Sequence, residues 1–164
     1  MKQKLRKSLP IFLASVTLIA LTACQVHFIA PYDQKLDTAM TTVQGDTEAF
    51  FIKLQGAGQT DAGDYDANKH YYQQTEATLR TLLTRAQATP NSAKVADEID
   101  KLEKNVELIQ QMHERDKSLN AANIQGDRDS MEIGFRAFFT LELGLKTSTA
   151  GSKTAAAGKA QARK

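Results

Sequence analysis

The sequence predicts an all-α protein built as an antiparallel, up-down-up-down four-helix bundle. Three observations carry that prediction. Four stretches repeat apolar residues at three- and four-residue steps, the period of an amphipathic helix. No stretch shows the strict alternation of a half-buried strand. The links between the later stretches are short, which favours antiparallel neighbours. A three-helix core with a loosely docked first helix is the competing arrangement, because Gln25 to Pro31 leave almost no flexible connection ahead of that helix.

The first helix is expected from about Ile29 to Gln55, with Tyr32, Leu36, Ala39, Val43, Phe50 and Leu54 on one stripe. Gly56-Ala57-Gly58 then stops it at low cost. The second runs from near Asp64, where acidic residues favour the positive helix end, to about Ala88. It turns Tyr65, Tyr72, Leu79, Leu82, Leu83 and Ala86 inward. Thr89-Pro90-Asn91-Ser92 makes a turn, since proline cannot continue a helix, and Ser92 suits the N-cap of the third. That helix, about Ala93 to Asn120, carries a heptad-like stripe of Val95, Ile99, Leu102, Val106 and Ile109, continued by His113. Asn123 to Gly126 reads as a loop and Asp127 as the next cap. The fourth helix, Arg128 to about Leu145, presents Met131, Phe135, Phe138, Phe139, Leu143 and Leu145. Residues 147–164 lack apolar side chains large enough to offset ordering entropy and are expected to be disordered. The bundle domain is thus drawn as 29–146.

Ahead of the bundle stands a secretory signal over residues 1–23. Lys2, Lys4, Arg6 and Lys7 form a basic start, and an apolar block runs from Leu9 to Leu21. The block falls short of the roughly 20 residues that a membrane-spanning helix needs. Leu21-Thr22-Ala23-Cys24 resembles the lipobox of bacterial lipoproteins, in which a cysteine thiol receives a diacylglycerol and the new amino terminus is acylated after cleavage. The resemblance implies lipidation at Cys24, with residues 24–28 as the anchor and short tether. Two or three acyl chains, at about 0.8 kcal/mol per buried CH₂, hold a protein durably. Gln25 in place of an aspartate after the cysteine implies the periplasmic face of the outer membrane. Cys24 is the only cysteine, so no disulfide can support the fold in that oxidising compartment.

Charge narrows the function classes. The whole chain sums to +2, and removing the four positive charges of the signal leaves −2. From Lys146 onward there are basic residues and no acidic one, so residues 24–145 carry −7. An acidic body opposes nucleic-acid binding, which needs a positive surface. The absence of Trp disfavours stacking platforms for sugars or bases.

Three side chains are the candidates for chemistry. Glu142 falls on the apolar face of the fourth helix, where an unpaired carboxylate is costly; Arg80, Arg85, a tyrosine or water are its expected partners. Di-iron bundles use such inward glutamates, but they also need Glu-x-x-His pairs, and no histidine here has Glu three residues before it. His113 is expected beside Tyr72, Thr47 and Phe135, with a hydrogen bond to Tyr72 or Thr47. Haem ligation by His113 with Met40, Met112 or Met131 finds no convincing pair. His70 reads as outward-facing and His27 lies beside the anchor, so no base stands ready for a nucleophile. The expectation is a non-enzymatic protein with no cofactor and no metal.

The terminal Arg163-Lys164 is similar to the end of the murein lipoproteins of enteric bacteria, whose last lysine is joined to peptidoglycan. It implies a possible cell-wall contact through the tail. The leading expectation is a lipid-anchored periplasmic accessory module whose acidic surface meets an envelope protein partner. The alternatives are small-ligand or metal binding inside the bundle near Glu142 and Tyr32 or near His113 and Tyr72, and a structural role at the cell wall.

Overall fold

The computed structural model describes residues 30–161, with side chains through Gly151. The signal, Cys24 and His27 lie outside the described residues. Four helices form the domain: α1, Gln34–Ala57; α2, Tyr65–Ala88; α3, Ala93–Asp116; and α4, Ala121–Gln161, with a 3-10 turn at Asp61–Gly63 after α1. Among the described residues there is no strand, and no helix is long and apolar enough to cross a membrane.

The helices pack as a closed ring. α1 lies against α2 and α4, α2 against α3, and α3 against α4, while diagonal pairs are not neighbours. Side chains fix the antiparallel sense. Arg85 in the last turn of α2 meets Asp33 at the start of α1, and the Tyr65 backbone N–H at the start of α2 donates to the Lys117 carbonyl after α3, at 2.8 Å. The core is filled from all four sides, by Met40, Phe51 and Leu54, by Tyr72 and Leu79, by Ile99, Leu102 and Val106, and by Met131, Phe135 and Phe138. Each such side chain contributes about 1.5–3 kcal/mol by leaving water. Because α1 buries Leu36, Met40, Val43, Phe50, Phe51 and Leu54, the loosely docked first helix is overturned.

Several ends differ from the sequence expectation. α1 begins at Gln34 because the Asp33 carboxylate accepts from the Lys35 and Leu36 N–H groups at 3.0 and 3.3 Å. It stops at Gly58, whose φ of +58° is open to glycine at no steric cost. Ser92 holds the N-cap position of α3, and its carbonyl accepts the Ala96 N–H at 3.0 Å, but its side chain does not cap the helix. Its hydroxyl points back and donates to the Ala86 and Thr89 carbonyls at the end of α2. α3 ends at Asp116 rather than Asn120, with Lys117 at φ +66°. α4 starts at Ala121, about two turns earlier than Asp127 suggested, because Asn120 accepts the Asn123 N–H at 2.9 Å. Leu119 and Ile124, both buried, seal that end.

At the other end α4 runs to Gln161, past the boundary drawn at residue 146. Alanine and lysine are good helix formers, and a segment continuing a packed helix needs no new nucleus. The α3–α4 crossing is set by Gly134, where an added Cβ would stand 2.6 Å from Leu102 Cδ2. Beyond the crossing a groove of about 660 Å³ opens between Lys94, Asp97 and Glu98 of α3 and Ala137, Leu141 and Ser148 of α4.

Candidate functional site

The expected polar residues fall into two clusters at opposite ends of the bundle. The first collects where α1 begins. Glu142 is 3% exposed, as its place on the α4 stripe demands. None of the side chains expected to partner it reaches it. Arg85 grips Asp33 through Nε at 2.5 Å and Nη2 at 3.0 Å. Arg80 spends its Nε and Nη2 on Glu103 at 3.0 and 2.8 Å. The Tyr32 hydroxyl donates to Asp37 at 2.6 Å. Glu142 Oε2 is left buried without a hydrogen-bond partner in the fold. Burial, and then the negative charges of Asp37 and Asp33, push the Glu142 carboxyl from 4.5 up to about 7. Tyr32, bonded to Asp37, is pushed up to about 12. Its backbone N–H donates to Thr149 Oγ1 at 3.5 Å, and Lys146 stands 5.4 Å over its ring.

The second cluster sits beneath the 3-10 turn. His113 is fully buried and uses both ring nitrogens. Nδ1 meets the Tyr72 hydroxyl at 2.9 Å and Nε2 meets the Gly63 carbonyl at 2.8 Å. A carbonyl only accepts, so Nε2 carries the hydrogen and Nδ1 receives the Tyr72 proton. Burial holds the imidazole below its ordinary range, with the Gly63 hydrogen bond and Asp64 opposing. Tyr65 lies edge-on to the ring at 5.8 Å and takes a hydrogen bond from Gln110. The expected Tyr72 bond is present, whereas Thr47 turns to Tyr71, whose hydroxyl donates to it at 3.0 Å. Phe50 stacks on Tyr71 at 3.8 Å between ring centres.

Sequence reasoning missed three polar groups, two buried and one half-buried. Asn68 donates to the Ala62 and Asp64 carbonyls and accepts from Lys53 at 2.7 Å, bracing the turn that holds His113. Glu103, 7% exposed, lies opposite Arg80; its spacing from Val106 and Leu102 already put it at the stripe edge. Asp127, expected as a cap, is instead half-buried inside α4, with Oδ2 unpartnered and its carboxyl raised to about 6 by burial.

Among the described residues no three His, Cys, Asp or Glu side chains converge to hold a metal ion. The larger grooves follow the outer seams. One of about 520 Å³ lies between α1 and α4, floored by Phe51, Met131 and Phe135 and crossed by the Arg128–Glu48 ion pair. His70 is exposed and borders a third, between α1 and α2. Neither Glu142 nor His113 lines any of these three. Compared with protein-family models, with curated proteins and with solved structures, the chain matches none.

Proposed function

We propose that this protein is a lipid-anchored accessory module of the bacterial envelope, held through Cys24 to the periplasmic face of the outer membrane and acting by binding a protein partner. One observation carries the reading. His113 and Tyr72, two of the three side chains with the best claim to chemistry, are absorbed in holding the fold, while charge is left outside. His113 spends both nitrogens on Tyr72 and Gly63. Outside, α3 presents Asp97, Lys101, Lys104 and Glu114 to solvent, with Asp100 and Glu107 partly covered. Ion pairs within α3, such as Lys101 with Asp97 and Lys104 with Asp100, order that surface without contributing much stability, since exposed pairs are worth about 0–1 kcal/mol. They set charge complementarity toward a partner instead.

The test is crosslinking in intact envelopes, comparing the native chain with a variant in which Asp97, Asp100 and Glu114 are changed to lysine. A partner captured by the native chain and lost with the variant is the expected result. Identical capture by both sinks the acidic-face reading. Metabolic labelling with a fatty acid, lost in Cys24→Ser, tests the anchor separately.

The unpartnered Glu142 Oε2 favours one second reading, a small cationic or hydrogen-bond-donating ligand beside Tyr32 and Asp37. Native mass spectrometry of protein from its own host decides it: a clean apo mass removes this reading.

A further inference from the structure

The seam between α1 and α4 carries an apolar stripe that the fold leaves open. Its middle is the groove floored by Phe51, Met131 and Phe135, and exposed apolar side chains extend it at both ends. Ile52, 55% exposed, falls seven residues after Gly45 and eleven after Thr41, so at 100° per residue it lies within about 20° of two groove-lining positions. Leu143, 62% exposed, follows the groove-lining Glu132 by the same eleven residues. Half-buried Phe139 bridges the gap from Phe135 to Leu143 in steps of four. Glu48 with Arg128 and Gln55 with Gln125 tie the two helices across the seam, which puts Ile52 opposite residues 124–128 of α4. Leu143 then stands about 22–28 Å farther along the seam at 1.5 Å per residue.

Two features of the stripe are centred on its middle. The midpoint between Ile52 and Leu143 falls at residues 133–136 of α4, between Glu132 and Arg136, which carry opposite charge and are 60% and 70% exposed. Gly45 stands at the same level on α1, exposed and inside a helix, where glycine is less favourable than alanine. An added Cβ there meets nothing within 4 Å, so nothing inside the bundle accounts for the glycine. Bare backbone at the centre of the stripe lets an outside helix come close. We infer that this seam is the interface of a homodimer, in which a second copy of the chain packs on it antiparallel, about a two-fold axis between Glu132 and Arg136. That axis lays Ile52 of each copy against Leu143 of the other and Glu132 of each against Arg136 of the other, the self-complementary pattern of an isologous contact. A parallel pair sets Glu132 on Glu132 and Arg136 on Arg136, and the like charges oppose it. A stripe of about 25 Å across two helices about 10 Å wide gives ~500 Å² a side, or about 1,000 Å² in all, near the lower limit of specific interfaces. The dimer is therefore weak, dissociating at about 10–100 μM. α3 takes no part in the seam, so the pair presents its acidic face twice. The two α1 starts stand at opposite ends of the pair, and both reach one membrane when the bundles lie along it. The dimer itself stands without the anchor and partner readings above.

The experiment uses the full chain, in its own envelopes and purified. Two co-expressed copies with different tags, one Ile52→Cys and the other Leu143→Cys, should be joined to each other by a short bis-maleimide. Neither variant should be joined to itself, and the native chain, with Cys24 alone, is the blank. Light scattering of the purified protein should give the mass of two chains above about 100 μM and of one chain on dilution. Gly45→Leu should abolish pairing while circular dichroism shows the bundle still folded, because the space at its Cβ is open. Glu132→Arg should weaken the dimer by about tenfold, and adding Arg136→Glu to it should restore the contact. Leu108→Glu, on α3 and equally exposed, should change nothing. A single-chain mass at every concentration, joining of either cysteine variant to itself, or a dimer untouched by both Gly45→Leu and Glu132→Arg overturns the proposal. A different envelope protein joined to Ile52→Cys in place of the second copy overturns it as well.

Discussion

Replacing Glu142 with glutamine should make the protein more stable in mildly alkaline solution and leave it almost unchanged in acid. Glu142 is 3% exposed, faces Asp37 and Asp33, and has no partner for Oε2. Its carboxyl is raised from 4.5 to about 7 in the folded state, so across that window the folded protein holds a proton that the unfolded chain releases. Stability therefore falls as pH rises from about 4.5 to about 7 and is level above. At 1.36 kcal/mol per unit, that rise sets a ceiling of ~3 kcal/mol. Glu142 lies about two turns from the end of the bundle at Thr149, where water screens part of the field, and ~1–2 kcal/mol is the expected effect. Glutamine keeps the shape and the cost of a buried polar group at every pH. Only the charge is removed, and the contribution of Asp127, raised to about 6, cancels between the two proteins. Urea unfolding followed by far-ultraviolet circular dichroism at pH 4.5 and pH 8 gives the difference. A gap between variant and native protein that does not widen with pH refutes the account of Glu142.

The remaining expectations concern the other end and the helix crossing. His113, held low by burial, gives stability that is full above its ordinary 6.5 and is lost as pH falls below. Nitrogen chemical shifts should report a neutral ring with the hydrogen on Nε2 well below that pH, and a ring that titrates near 6.5 contradicts the buried network. In the Glu142→Gln background Asp127, raised to about 6, still opposes this acid loss, so the ring's own shifts, and not the midpoints, report it. Tyr72→Phe removes the donor to Nδ1 and should cost ~1–3 kcal/mol, read from the same urea midpoints; a cost below the measurement error contradicts it. Gly134→Ala should destabilise, because its Cβ would meet Leu102 Cδ2 at 2.6 Å and overpacking costs ~1–3 kcal/mol. Gly144→Ala meets nothing within 4 Å and should stabilise by ~0.5–1 kcal/mol; equal melting temperatures for the two variants dismiss the close crossing.

The helices themselves were legible because each carries its apolar stripe in sequence, and the His113 stripe led directly to Tyr72. Burial of Glu142 was legible for the same reason. Its lack of a partner was not, since Arg80 and Arg85 each had a carboxylate on another helix to satisfy. Those choices depend on register, which periodicity does not encode. The start of α3 at Ala93 was legible, but the bonding of its cap and the start of α4 were not. Ser92 turned its hydroxyl to the preceding helix, and Asn120 took the role that Asp127 seemed fitted for. The length of α4 escaped notice because an Ala-rich stretch with no apolar stripe looks unstructured by itself, yet it continues a helix already nucleated by Phe135 and Phe138.

Asp33 has a mechanical meaning. It caps α1 and at the same time grips Arg85 of α2, while its neighbour Tyr32 is tied to Thr149 of α4. Tension arriving along the segment before Ala30 thus enters the bundle at one level and divides among three helices. These contacts share one level, so α1 is held there by both of its neighbours. Two adjacent residues, Tyr32 and Asp33, thus tie the entry of the chain to three helices at once.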